Sequence, residues 1–442
     1  MDWAGRRLHF VGIGGAGMSG LATVARALGA SVTGSDRAAD SPALARLRAA
    51  GIEIAHGHAA GHVPARAEVV VSSAIGEDNP ERRAGAGAGL TELHRADLLA
   101  ELTRAKPTLA VTGTHGKTTT SSMIVHAMRG AGLDPSYLVG GDVRSTGSNA
   151  GWGSGEWLVV EADESDRSLL KLSPTIAVLT NAELDHHATY ASRREVDATF
   201  RQFLSLADRV VVWDRPDLVA LAAGRPTTVY DVPDPELHPA GSSFEVAGVR
   251  VELSVPGAHN ALNAAAALTA CALAGADPDR AGAALADFSG AGRRFERLGT
   301  TATGALVVDD YAHHPTEVRA TLEAARTLEV DRVVAVFQPH LYSRTAREAP
   351  AFGAALALAD LVVVLDVYGA RERPDEHPGV SGLLVAEATA DAAGGRTVAW
   401  LPRLDEAESF LRTALRPGDL CLTLGAGNVD ELGRRLLGTW AR

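Results

Sequence analysis

Leu109-Ala-Val-Thr-Gly-Thr-His-Gly-Lys-Thr-Thr-Thr120 brings two glycines, one lysine and a row of hydroxyls together at a spacing suited to phosphate. An apolar strand-like run ends at Gly113, the chain turns through Thr114, His115 and Gly116, and a helix opens at Lys117-Thr118-Thr119. Backbone N–H groups at such a helix start, with one ammonium, make a cradle for nucleotide phosphates. The spacing is G-x-x-G-K-T, because Val111 stands where the longer G-x-x-x-x-G-K-[ST] loop has its first glycine. The chain keeps only three lysines, Lys106, Lys117 and Lys171, so arginine has replaced lysine almost everywhere else. A lysine retained inside this loop marks a place for a compact point charge, which a planar guanidinium supplies poorly. A nucleoside triphosphate, ATP, is the expected ligand.

A second glycine loop, Gly12-Ile-Gly14-Gly-Ala-Gly17, follows a strand-like run, and Asp36 ends the next one. That pattern fits a dinucleotide fingerprint with Asp36 on a ribose hydroxyl. It also fits a UDP-sugar resting its diphosphate on the same N–H groups, or plain close packing of helix on strand. The triphosphate loop downstream favours the UDP-linked substrate over a nicotinamide, since an enzyme driven by ATP seldom needs a hydride carrier.

Carboxylates and histidines gather after other strands. Trp157-Leu-Val-Val-Glu161-Ala-Asp163-Glu164-Ser-Asp166 puts Glu161 at a strand's end, where α/β sheets bind ligands. Magnesium on ATP takes hard oxygens, so Thr118 and Glu161 are its expected ligands, with Asp163, Glu164 and Asp166 read as solvated acids. Asn181 to His187 offers His186 or His187 as a further ligand. His56, His58 and His62 imitate zinc spacing without cysteine partners, and read as loop histidines. Arg293-Arg294 can meet a γ-phosphate. Asp309-Asp310-Tyr311-Ala-His313-His314 and Gln338-Pro-His340-Leu-Tyr342-Ser-Arg344 both follow strands and predict a polar site at neighbouring strand ends.

These groups need several α/β units to position them. A chain of 442 residues exceeds what one core usually serves. Strand and helix signals alternate from Leu8 to Val71, with an exposed turn and helix expected over Ile75–Gly89 and a first boundary at Lys106-Pro107. The second unit carries strands at Trp157–Val160, Ile176–Thr180 and Arg209–Trp213, a β-rich patch at Ser243–Val255 and the alanine-rich helix Ala261–Leu273. Gly290–Glu296 reads as a second linker, about which the last unit is expected to close. Strands at Ala305–Asp309, Arg332–Phe337, Leu361–Leu365, Thr397–Trp400 and Leu420–Leu424 follow. The expected domains are residues 1–105, 106–292 and 293–442: Rossmann-like, P-loop ATPase-like with a β-rich patch, and Rossmann-like again.

Composition narrows the class. Apolar residues make up 46% and charged residues 22%, ordinary for a globular protein, and a net charge of −12 argues against general nucleic-acid binding. No run of 18 apolar residues suggests a membrane span, and the N-terminal residues lack a signal peptide's apolar core. Cys271 and Cys421 read as buried free thiols of a reducing compartment. A cytoplasmic protein, monomeric or weakly dimeric, is expected.

TGTHGKTTT, EADESD, TNAELDH, GAHNALNAAAA (Gly257–Ala267), RRFE, DDYAHHPTE, FQPH and LGAGN, in that order, resemble the Mur ligases of peptidoglycan synthesis. GIGGAGMSG and DDYAHHPTE are most similar to the members that join L-alanine to UDP-N-acetylmuramate. The resemblance implies that ATP phosphorylates the muramic-acid carboxylate and that the alanine amine displaces phosphate from the acyl phosphate. It implies that Gly113, Thr114, His115, Gly116, Lys117, Thr118 and Thr119 hold phosphates, and that Thr118, Glu161 and His186 hold Mg2+. Asn260 and Asn263 would meet the adenine end of ATP, Asp310 its ribose, and Arg294 the developing phosphate charge. Tyr311, His313, His340 and Arg344 would surround alanine, and Gly14, Gly17, Asp36 and Ser72 would line the UDP moiety. Lys117, Glu161, His186 and Arg294 are then the catalytic set. Leu341 and Ala188 stand where many relatives read Arg and Asp, and the absence of lysine after Lys171 removes a carbamylated-lysine metal bridge from the region after His186.

Overall fold

The computed structural model describes residues 3–187 and 189–438, so Ala188 lies outside the described residues. Two compact units emerge: one runs up to Asp231 and adds Val246–Val249 and Asn263–Leu285, and the other holds Val232–Glu245, Arg250–Leu262 and the chain from Ala286.

The first unit contains two sheets. Strands β1 (Arg7–Val11), β2 (Ser31–Asp36), β3 (Glu53–His56), β4 (Glu68–Val71) and β5 (Glu92–His94) form a five-stranded sheet in the order β3-β2-β1-β4-β5. Every pairing in it is parallel, so each strand needs a crossover, which the helices Ala16–Ala27, Pro42–Ala49 and Pro80–Gly87 supply. The order reverses at β1, which places a crevice at the carboxyl ends of β1, β2 and β4.

The second sheet comprises β6 (Thr108–Thr112), β7 (Ser136–Val143), β8 (Ser148–Gly151), β9 (Leu158–Glu161), β10 (Ile176–Leu179), β11 (Arg209–Trp213) and β12 (Thr227–Tyr230). Its order is β12-β11-β10-β6-β9-β7-β8, parallel apart from the β7–β8 hairpin. Leu109, Ala110 and Val111 are fully buried, as a central parallel strand covered on both faces requires. One core of buried side chains, from Phe10 and Leu21 to Leu179 and Phe200, serves both sheets. Ala150 and Leu138 of the hairpin lie 3.3 and 3.4 Å from where a Cβ on Gly20 would stand, tighter than most carbon contacts, so a glycine lets the first helix approach.

In the second unit, β13 (Glu236–His238), β14 (Gly241–Val246) and β15 (Val249–Leu253) form the small sheet expected of the β-rich patch. The strands β16 (Glu296–Thr300), β17 (Leu306–Asp310), β18 (Arg332–Phe337), β19 (Leu361–Val364), β20 (Thr397–Trp400) and β21 (Asp419–Leu424) form a sheet in the order β16-β17-β21-β18-β19-β20. Only the edge strand β16 runs antiparallel. Helices cover both faces over two apolar clusters, one around Phe337 and Phe352, the other around Val336 and Leu432. Cys271 and Cys421 are buried free thiols.

The stretch expected to be exposed turn and helix differs from that expectation. A helix forms at Pro80–Gly87, but Glu81 is fully buried. Asn79 caps this helix, and the sequence pattern (two arginines, two glycines and two alanines) hides the one inward carboxylate.

Candidate active site

The loop after β6 is built on two glycines that no other residue replaces without strain. Gly113 has φ +131, with Thr180 and the Asn181 backbone where a Cβ would stand. Gly116 has φ +80 and its Cβ would lie 2.5 Å from Asn263 Oδ1. The end of β10 clamps the loop: His115 N donates to Asn181 Oδ1 (2.8 Å), Thr180 Oγ1 donates to His115 O (2.6 Å), and Glu183 N donates to Thr114 Oγ1 (2.8 Å). The run TNAELDH therefore shapes the turn, and the helix Lys117–Gly130 starts from it with an uncapped N-terminus. Thr118 and Thr119 lie in its first turn, almost wholly buried.

Lys117 Nζ donates to Gly113 O (2.7 Å) and Thr114 O (3.1 Å), and meets Glu164 at 2.9 Å. Burial works against its charge, but the Glu164, Asp163 and Glu161 carboxylates outweigh it and raise the ammonium above the ordinary lysine range. His186, in a left-handed backbone conformation (φ +53), brings Nε2 within 3.4 Å of Glu164 Oε1. Burial disfavours its proton, yet Glu164 and Asp185 push its pKa up.

One expectation about acids requires correction. Glu164, read as solvated, is 2% exposed and is the carboxylate on which Lys117 and His186 converge. Glu161 does not join that group. Its Oε2 accepts from Gly140 N (2.8 Å), Thr118 hydrogen-bonds its carboxyl, and burial raises its pKa. Ligand atoms of Asp163, Glu164 and His186 all lie within 4.8 Å of one another. Of the expected set, Thr118 contacts Glu161 and His186 contacts Glu164, with Lys117 in the field of both carboxylates. The signal was hidden because Glu164 sits three residues past the strand end, in a run where four of six residues are acidic. Asn263 stands against Gly116, on the loop itself, and Thr120 Oγ1 lies 3.3 Å from its Oδ1.

The crevice of the first sheet holds a cavity of about 490 Å3 lined by Gly12, Asp36, Arg37, His58, Asn79 and the loop Ala74–Gly76 among others. Asp36 is there as expected, but Gly14, Gly17 and Ser72 are not among its lining residues. Gly14 N already donates to Asp36 Oδ2 (2.7 Å), and Arg95 Nη1 covers Gly17, 3.0 Å from where its Cβ would stand. Arg95, missed in the sequence, also reaches Asp166 (3.2 Å). His58 and His62 face Glu81.

In the second unit, the carboxyl ends of β17, β18 and β21 gather the remaining candidates. Tyr311 and His313 meet edge to face (5.4 Å), as do His313 and His340 (5.8 Å), and His340 stacks on Tyr368 (5.9 Å). Arg344 is 2% exposed and donates to His340 O (3.2 Å), so it sits behind the rings rather than open at their face. Leu341 is buried with φ +70. Asp310 accepts from Phe295 N (2.7 Å) and Ala312 N (2.8 Å), and burial pushes its carboxyl up to about 6. Arg294 lies over the Tyr311 ring and 3.8 Å from Glu317, while Arg293 is held by Asp309 (2.9 Å) and the carbonyls of Gly425 and Gly427. Only Arg294 of the pair is loosely held. Asn260 Nδ2 donates to Pro256 O (2.7 Å), on its own helix start.

Three family models match in succession: "Mur ligase family, catalytic domain" over residues 7–107, "Mur ligase middle domain" over 111–271 and "Mur ligase, glutamate ligase domain" over 293–427. The chain is 45% identical to the UDP-N-acetylmuramate–L-alanine ligase of Streptomyces coelicolor, over 98% of this chain and 97% of that protein. It is 47% identical to the enzyme of the same name from Kineococcus radiotolerans, over 98% and 95%. A crystal structure of UDP-N-acetylmuramate–alanine ligase from Thermotoga maritima superposes with a TM-score of 0.84 at 29% identity, covering 98% of each chain. By three successive domain matches and full-length similarity, the chain belongs to the Mur ligase family.

Proposed function

We propose that this enzyme joins L-alanine to the carboxylate of UDP-N-acetylmuramate at the expense of ATP, giving ADP, phosphate and UDP-N-acetylmuramoyl-L-alanine. The observation that carries the reading is full-length similarity to ligases of that name, with a buried Lys117 at the triphosphate loop. ATP phosphates take the loop N–H groups and Lys117, which exchanges Glu164 for phosphate oxygens. Thr118 and Glu161, with the Asp163–Glu164–His186 group, form a mainly hard-oxygen donor set that fits Mg2+, which supplies neutralisation of phosphate charge when bound. A carboxylate oxygen attacks the γ-phosphorus and ADP leaves. The alanine amine then attacks the acyl carbon, and phosphate leaves with the C–O bond's electron pair. Arg294, held by the Tyr311 ring and a 3.8 Å approach to Glu317, is the cation for the transferred phosphoryl group. Tyr311, His313 and His340 shape the amino-acid pocket, with Arg344 fixing His340 from behind. The uridine diphosphate takes the cavity at Asp36. Domains of roughly 1–105, 106–292 and 293–442 divide these three tasks.

Phosphate release tests the reading. It should require UDP-N-acetylmuramate and L-alanine together, and exceed release with glycine or L-serine. Release that needs a peptide instead of a free amino acid would assign a different Mur-type reaction.

A further inference from the structure

Behind the first-sheet cavity lies a charged cluster that none of these roles uses. Glu81, fully buried, accepts from Ser35 Oγ (2.6 Å), Ala59 N (3.2 Å) and His62 Nδ1 (3.0 Å). His9 Nε2 and His58 Nδ1 stand 3.5 and 3.6 Å from its Oε2. Burial opposes the charge, but the nearby His9 ring and the hydrogen bonds from Ser35, His62 and Ala59 outweigh it and hold the carboxyl at about 2. It is therefore an acceptor only.

Proton accounting then runs outward. Ser35 has one hydroxyl proton, and Glu81 takes it. Ser35 Oγ is also 3.0 Å from His58 Nδ1, so that contact requires His58 to be the donor. A single ring proton placed on Nδ1 leaves the lone pair on Nε2, and His58 lines the cavity. Asn79 lines the same cavity and spends its Oδ1 on Glu81 N (2.9 Å), which directs its carboxamide donors elsewhere. An acceptor beside a donor complements the imide edge of uracil, whose N3–H is flanked by carbonyls. With the ribose held in one place, cytosine reverses both contacts, because its N3 accepts where uracil's N3–H donates and its N4 donates where uracil's O4 accepts.

We propose that Glu81, acting through Ser35, fixes the proton of His58 on Nδ1, and that His58 Nε2 and Asn79 Nδ2 together read the uracil base. Glu81 and Ser35 are positioning residues, and His58 and Asn79 are specificity residues. The inference rests on the reading that this cavity takes the uridine diphosphate.

Calorimetric binding of UDP and CDP to the full-length protein tests it. The parent should bind UDP about tenfold or more tighter than CDP. Glu81→Gln gives Ser35 a donor neighbour, letting the hydroxyl proton turn toward His58 and the ring proton move to Nε2, so the UDP-to-CDP ratio should drop about tenfold or invert. Ser35→Ala breaks the same relay with little change of volume, and His58→Ala should bring the ratio near one. ATP-analogue binding, read in the same samples, verifies the fold. If Asp36→Asn weakens UDP binding but the ratio is equal in the parent, Ser35→Ala and Glu81→Gln, the relay is overturned and the site stands. If neither Asp36→Asn nor His58→Ala moves UDP affinity, the cavity is not the nucleotide site. Discrimination against 2′-deoxy-UDP, lost in His58→Ala in place of base discrimination, would put His58 on the ribose and overturn the base assignment.

Discussion

Two buried polar regions of this protein handle charge in opposite ways. Around Lys117 the charges remain and are matched: the ammonium is raised by Glu164, Asp163 and Glu161, and the His186 proton is held by Glu164 and Asp185. At the strand ends of the second unit, burial works against the charged form of two groups. Asp310 is pushed up to about 6, and His259, half-buried at the start of its helix near Arg294, is pushed down to about 4. A site of matched ions is ready to exchange one ion for another, as binding of phosphate and a divalent cation requires. Groups whose charge is disfavoured by burial offer shape and hydrogen bonds in place of ion exchange.

The largest effect that would break the comparison is at Lys117. Lys117→Arg keeps the charge but should lower kcat/KM by about two to three orders of magnitude. The ammonium fits between two loop carbonyls and Glu164, and a planar fork cannot keep those three contacts and reach phosphate oxygens. Steady-state phosphate release measures it. Turnover within threefold of the parent would reduce Lys117 to a turn residue.

The ion-exchange site was the more legible of the two because its loop is local. Gly113, Gly116 and Lys117 lie within five positions, and their spacing alone implies a phosphate cradle. The pairing of Lys117 with Glu164 joins positions 47 apart, and nothing in EADESD distinguishes the inward acid from its neighbours. Strand register does: β9 ends at Glu161, so the chain bends back toward the loop over the next residues. The same holds elsewhere. Arg209–Trp213 was readable as a continuous β-branched run, whereas the β7–β8 hairpin, interrupted by Gly140-Gly141, has no alternation to betray it. Glu81 was unreadable because its partners His9, Ser35, His58 and His62 come from separate elements.

A smaller effect decides which acid serves the cation. Glu161→Gln should raise the magnesium concentration for half-maximal activity by about tenfold, with UDP affinity unchanged, if Thr118 and Glu161 take the ion. The two pools of acid make this sharp. A greater rise for Glu164→Gln than for Glu161→Gln would move the cation to the Asp163–Glu164–His186 group.

The smallest effect is thermodynamic and tests the neutralised region. Asp310 binds its proton up to about pH 6 when folded, against an ordinary 3.8, so between those values the folded state holds a proton the unfolded chain has released. Its contribution to stability therefore falls as pH rises through that window. His259 has the reverse sign. Its folded value of about 4, against an ordinary 6.5, means that the unfolded chain takes up a proton first, so stability is lost as pH falls from 6.5 toward 4. The two slopes, each at most about 1.4 kcal/mol per pH unit, oppose one another and leave the parent nearly flat from these groups. Removing one exposes the other. Asp310→Asn keeps an acceptor for Phe295 N and should make unfolding free energy rise with pH between about 4 and 6 relative to the parent, whereas His259→Gln should make it fall. Denaturant melts at several pH values read both slopes, and the double variant should be flat again if the groups act independently. Parallel curves for all four proteins would mean that neither group is held neutral, and that the second region manages charge as Lys117 and Glu164 do.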